Sequence, residues 1–105
     1  MFKQITIIGL GLIGSSLARV ISQKGLCDRL VAVDADEDVC HAVVTLGLAD
    51  AVYQDARDGV KGSDLVVLCV PAGAMGKVAE YISPALAPNV IISDVASVKK
   101  SVVDA

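Results

Sequence analysis

The sequence has no tryptophan, one phenylalanine and two tyrosines. A core must therefore come from Val, Ile, Leu and Ala within a composition that is 54% hydrophobic, which suits a parallel sheet buried on both faces by helices. Positive charge is not in excess. Nine Lys and Arg stand against twelve Asp and Glu, a net charge of -3, with no basic stripe and no interleaved aromatics. Neither nucleic acid nor an anionic membrane is expected as a partner. The cysteines, Cys27, Cys40 and Cys69, are odd in number and lack CxxC spacing, which points to neither a disulfide framework nor a zinc site. Reduced thiols suit a cytoplasmic location. No apolar run approaches the ~18 residues of a membrane span, and the start "MFKQITII" lacks the separate basic and apolar regions of a signal peptide. The expectation is a soluble cytoplasmic protein without a metal.

The length of 105 residues suits one compact domain. Ile5 to Ile8 reads as a buried strand, and Leu12 to Lys24 as a helix with Leu12, Ile13, Leu17, Val20 and Ile21 at helical spacing, stopped by Gly25. "LVAVD" (30–34) is a second strand. Asp36 to Leu48 forms a second helix with Asp36 as N-cap and Gly47 as stop. "AVYQD" (51–55) is a weak third strand, and the glycine-containing "ARDGVKGSD" that follows reads as a loop or a short helical turn. "LVVLCV" (65–70) is a fourth strand ended by Pro71, Ala74 to Leu86 is helical in pattern, "NVIISDV" (89–95) is a fifth strand, and "SVKKSVVDA" opens another helix. This alternation predicts an α/β fold, a doubly wound parallel sheet of Rossmann type in three α/β/α layers with strand order 3-2-1-4-5. Residues 1–105 are expected to be one dinucleotide-binding domain, truncated from something longer.

Within "ITIIGLGLIGSSLA" the glycines are spaced as Gly9-x-Gly11-x-x-Gly14, between a strand and a helix. In that setting Gly9 permits a tight turn, Gly11 lets a pyrophosphate approach the backbone, and Gly14 allows close packing of helix on strand. The N–H groups of Leu12 and Ile13, at the positive end of the helix dipole, would receive phosphate oxygens. Asp34 ends the second strand, where a carboxylate accepts the hydroxyls of a ribose. Glycines that merely turn the chain, with Asp34 as a helix cap, would look the same in isolation; strand, helix and acid together favour a dinucleotide. "DADED" is acidic, with no Arg or Lys until Arg57, so a 2′-phosphate would be repelled. NAD is expected in preference to NADP.

Ligands of such sheets lie beyond the carboxyl ends of the strands where their order reverses. Val70 and Pro71 end the fourth strand there, and Asp94 to Ser97 the fifth. Ser97 suits a helix cap as well as a ligand contact. His41 falls in the second helix and reads as a surface residue; Cys69, in an apolar strand, reads as a small core residue. No catalytic base is evident among the 105 residues.

Together, "IIGLGLIGSSLA", "VAVD", "SDLVVLCVP" and "IISDVASVK" make the chain resemble the N-terminal cofactor domain of prephenate and arogenate dehydrogenases. The ending from Asp94 to Lys99 is the most particular of these motifs. The resemblance implies a full-length homodimeric enzyme of tyrosine biosynthesis. It would oxidatively decarboxylate the small-molecule substrate prephenate or arogenate and pass a hydride to NAD. It further implies that Ser97 contacts the substrate's ring hydroxyl and that Val70 and Pro71 flank the cofactor. Two departures stand out. Ala96 replaces the glycine usual before that serine, and the family's basic histidine has no match, since His41 is not in an H-P motif. The base, the substrate-binding arginines and the helical dimerisation domain are expected beyond Ala105, so these residues alone should bind cofactor without turnover. Two other readings share the glycine fingerprint. One is a β-hydroxyacid type of NAD-dependent dehydrogenase; the other is a regulatory NAD-sensing Rossmann module like those that gate potassium transport. Both fit the ending Asp94 to Lys99 less well.

Overall fold

The computed structural model describes residues 2–94. Five strands, β1 (Phe2–Ile8), β2 (Cys27–Val33), β3 (Ala51–Tyr53), β4 (Leu65–Leu68) and β5 (Ile91–Asp94), form one sheet ordered β3-β2-β1-β4-β5. Every pairing is parallel, with Ile8 opposite Val33 on one side and Leu68 on the other. The expected doubly wound order is the observed one. Ser97, Lys99, Lys100 and the expected closing helix lie outside the described residues.

The helices are α1 (Leu12–Lys24), α2 (Glu37–Leu46), α3 (Ala56–Val60) and α4 (Ala72–Ile82). Successive strand side chains point to opposite faces, and the sequence exploits this to build two cores. Ile5, Ile7, Leu30, Ala32 and Val67 meet Ala18 and Ile21 of α1 and Val43 of α2 on one face. Ile8, Val33, Val66 and Leu68 meet Val60 of α3 and Ile82 of α4 on the other. Strands buried on both sides explain why the apolar runs are continuous rather than alternating.

Local chemistry sets the helix ends. Asp36 and Asp55 cap α2 and α3, each side chain accepting from the backbone N–H two residues on at 2.9 Å. Gly25 and Gly47 close α1 and α2 in the left-handed conformation, with φ of 61° and 64°. The helix expected over 74–86 is instead α4 followed by a 3-10 turn over Ser83–Ala85. Pro84 is the reason, because its nitrogen has no hydrogen to donate and its ring clashes with the preceding turn. The third strand is shorter than the 51–55 expected, because Asp55 is spent as the cap of α3.

The segment least legible in sequence, 56–60, is a helix because Gly59 lets it sit directly on the sheet. A Cβ on Gly59 would stand 2.2 Å from Cγ2 of Val33. At the same contact the buried Thr6 hydroxyl donates to the Gly59 carbonyl at 2.9 Å and pairs with the Ser63 hydroxyl. Gly59→Ala is therefore expected to lower stability by about 2 kcal/mol through overpacking, read as a lower midpoint in urea with an unchanged slope.

Candidate functional site

The carboxyl ends of β1, β2 and β4 converge where the strand order reverses, and there the chain leaves a cleft of about 710 Å³. Such a switch point is where open α/β sheets take their ligands. Gly9, Leu10 and Gly11 of the turn, Asp34 and Ala35 after β2, Cys69, Val70 and Pro71 after β4, and Lys77, Val78 and Tyr81 of α4 line it.

Each fingerprint glycine has a distinct surrounding. Gly9 has φ +88°, and a Cβ there would lie 2.7 Å from the Cys69 carbonyl oxygen. A Cβ on Gly14 would lie 2.3 Å from the Gly9 carbonyl oxygen, so α1 presses directly on the turn. Gly11 differs, because nothing lies within 4 Å of its would-be Cβ. Turn and helix packing require the outer two glycines, whereas the middle one faces open space at the cleft.

Backbone hydrogen bonds hold this turn. Gly9 N–H donates to the Val33 carbonyl at 2.7 Å, Cys69 N–H to the Ile8 carbonyl at 2.8 Å, and Ser15 Oγ to the Leu10 carbonyl at 2.7 Å. The first bond of α1 runs from Ser15 N–H to the Gly11 carbonyl. No side chain caps α1 and its first turn carries no acid, in contrast to α2 and α3. The N–H groups of Leu12 and Ile13 thus belong to the helix end that needs an outside acceptor.

Asp34 follows β2 and faces the turn. Its Oδ2 accepts from Leu10 N–H at 3.0 Å and its Oδ1 from Asp36 N–H at 2.9 Å. The carboxylate is thereby fixed in orientation, and its two oxygens keep lone pairs for further donors. The structure brings Gly9, Gly11, Asp34, Val70 and Pro71 to one cleft and starts α1 beside it at Leu12.

Cys69 packs against the core as expected but stands just past the strand rather than in it. β4 ends at Leu68, and Cys69 is half-buried in the cleft wall. Burial pushes its thiol above the usual value, so little of it is the reactive thiolate at neutral pH. His41 is exposed on α2. Among the described residues no group of three His, Cys, Asp or Glu could hold a metal, and no helix is long and apolar enough to cross a membrane.

Five further lining residues, Gln54, Ala56, Lys77, Val78 and Tyr81, are not legible as a site in the sequence. They sit on different elements, and the one usable signal is that Lys77 and Tyr81 are four apart and share a helix face. Lys77 matters for charge: the acidic run after β2 is not the whole electrostatic lining.

A family model described as "Prephenate dehydrogenase, nucleotide-binding domain" matches residues 17–105. The chain belongs to the prephenate dehydrogenase family. Since the match begins at 17, the glycine turn is a separate support for the nucleotide-binding assignment. A cyclohexadienyl dehydrogenase from Zymomonas mobilis is 50% identical over 98% of this chain, and the matched part is 35% of that protein. Among solved structures, the arogenate dehydrogenase of Synechocystis superposes with a TM-score of 0.82 and 33% identity over 90% of this chain and 33% of its own. A prephenate dehydrogenase from A. aeolicus in complex with hydroxyphenyl propionate and NAD+ superposes with a TM-score of 0.81 at 22% identity, over 90% of this chain and 33% of its own. That last likeness is one of fold. The chain thus spans about a third of the length of these relatives.

Proposed function

We propose that residues 1–105 are the cofactor domain of a prephenate or arogenate dehydrogenase and bind NAD in the switch-point cleft. The observation that carries this reading is the fixed Asp34 carboxylate, held 3.0 Å from Leu10 N–H beside the uncapped start of α1. Diphosphate oxygens would lie over Gly11 and accept from the N–H groups of Leu12 and Ile13, while Asp34 accepts the ribose hydroxyls. Gly9 and Gly14 keep turn and helix in register, and Val70 and Pro71 flank the cofactor. A 2′-phosphate would approach the Asp34 charge, which favours NAD over NADP; Lys77 across the cleft tempers that preference.

In the whole enzyme, NAD would accept a hydride from the substrate ring as carbon dioxide is lost. Ser97 would contact the ring hydroxyl. The base that takes the hydroxyl proton must come within hydrogen-bond reach of it. We place that base, the substrate-binding arginines and a helical dimerisation domain outside residues 1–105, in a cytoplasmic homodimer. An assay of this chain with prephenate or arogenate and NAD, followed by NADH absorbance, is therefore expected to show no turnover. Turnover above the enzyme-free blank would contradict the assignment of the base.

A further inference from the structure

Asp34 is held from a second direction, by its backbone as well as by its carboxylate. β2 ends at Val33, so Asp34 stands just past the strand. Its N–H donates to the carbonyl of Tyr53, the last residue of β3, at 3.1 Å. Its own carbonyl accepts from the Cys40 thiol, with Sγ at 3.2 Å. The same Sγ lies 3.9 Å from the Tyr53 carbonyl oxygen. One thiol of α2 thus sits between two carbonyls where β2 and β3 come to an end. Cys40 N–H in turn donates to the Asp36 carbonyl at 3.1 Å, and Asp36 N–H donates to Asp34 Oδ1 at 2.9 Å. These bonds close a ring from the Asp34 carboxylate through Asp36 and Cys40 back to the Asp34 backbone.

Cys40 is half-buried and lines a groove of about 410 Å³ between α2 and β3, with His41, Val44 and Val52, rather than the cofactor cleft. It therefore reaches a ligand of the cleft only through Asp34. The bonds from Leu10 and Asp36 fix the tip of the Asp34 side chain; the thiol fixes its root. We propose that Cys40 is a positioning residue of the cofactor site, whose thiol holds the Asp34 backbone and so sets the angle at which the carboxylate meets the ribose hydroxyls. The proposal rests on the NAD reading of the cleft. A thiol is a weak donor, but a carboxylate that must meet two hydroxyls at once is sensitive to small displacements. Burial raises the thiol above its usual value, and the carboxylates of Asp34, Asp36 and Glu37 add to the effect. At neutral pH the sulfur accordingly keeps the proton it donates.

The test uses the 105-residue chain as wild type, Cys40→Ala and Cys40→Ser, with folding followed by circular dichroism. NAD affinity is measured by calorimetry, and hydrogen exchange is followed at two amides of the unliganded chain. Leu10 N–H donates to the Asp34 carboxylate, whereas Gly9 N–H donates to the Val33 carbonyl and does not depend on it. Cys40→Ala is expected to weaken NAD about 5-fold, the scale of one lost hydrogen bond, and to speed exchange at Leu10 about 5-fold while leaving Gly9 unchanged. Cys40→Ser restores a donor and is expected to recover most of both losses. Should Cys40→Ala not fold, Cys40→Val, which fills the place of the thiol without a donor, is read by the same outcomes. Unchanged NAD affinity overturns the proposal. So does a loss of affinity without a selective rise at Leu10, which marks a merely structural role, and so does a serine variant no better than alanine. Absence of NAD binding by the folded wild type overturns the NAD reading itself, and the role of Cys40 with it.

Discussion

Gly14→Ala is expected to cost about 3 kcal/mol of stability and to weaken NAD binding by about 100-fold. The cause is a contact between backbone atoms: the added Cβ would stand 2.3 Å from the Gly9 carbonyl oxygen. Neither group can rotate away, so either α1 lifts from the turn or the turn opens, and both displace the N–H groups of Leu12 and Ile13. For a domain of this size the loss corresponds to a fall in melting temperature of about 15 °C. Gly11→Ala supplies the contrast. Its Cβ meets no protein atom within 4 Å, so the variant should melt within a few degrees of wild type yet bind NAD about 10-fold more weakly, because the methyl occupies ground meant for a phosphate. Calorimetry with thermal melts on both variants separates packing from ligand approach. Equal behaviour of the two would contradict these distinct roles.

The second large effect concerns Asp34. Both carboxylate oxygens already accept backbone N–H groups, from Leu10 and from Asp36. An asparagine supplies one accepting oxygen and one NH2, so one of those N–H groups would face another donor. Asp34→Asn is therefore expected to weaken NAD about 30-fold, from a weaker ribose contact and a loosened turn together. Hydrogen exchange at the Leu10 amide distinguishes the two causes. Faster exchange in the variant marks a loosened turn; unchanged exchange with weakened binding confines Asp34 to the ribose. Unchanged NAD affinity would remove Asp34 from the site.

Much of this fold is legible in sequence because its signals are local. Gly25 and Gly47 stop helices where a left-handed residue is needed, Asp36 caps where it should, and continuous apolar runs mark strands covered on both faces. The glycine spacing and the acid after β2 are legible for the same reason, since both belong to one β-α-β unit. What sequence does not reveal depends on tertiary contact. Gly59 reads as part of a loop or a short helical turn, and only Val33 seen against it decides for the helix. Cys69 packs against the core as its sequence suggests, but that it also lines the cleft follows from β4 ending at Leu68 instead of continuing to residue 70. The expected continuation of α4 to Leu86 overlooks Pro84. Lys77 and Tyr81 face the same cleft as Asp34 although they are distant in sequence, and the charge argument drawn from "DADED" alone could not include them.

Calorimetric titration of the folded chain with NAD and with NADP, repeated on Asp34→Ala, tests the central claim most directly. The account predicts that wild type binds NAD more tightly than NADP, and that the substitution weakens NAD and narrows the difference. No heat of binding from a chain shown to be folded, or equal affinities untouched by the loss of Asp34, would contradict it.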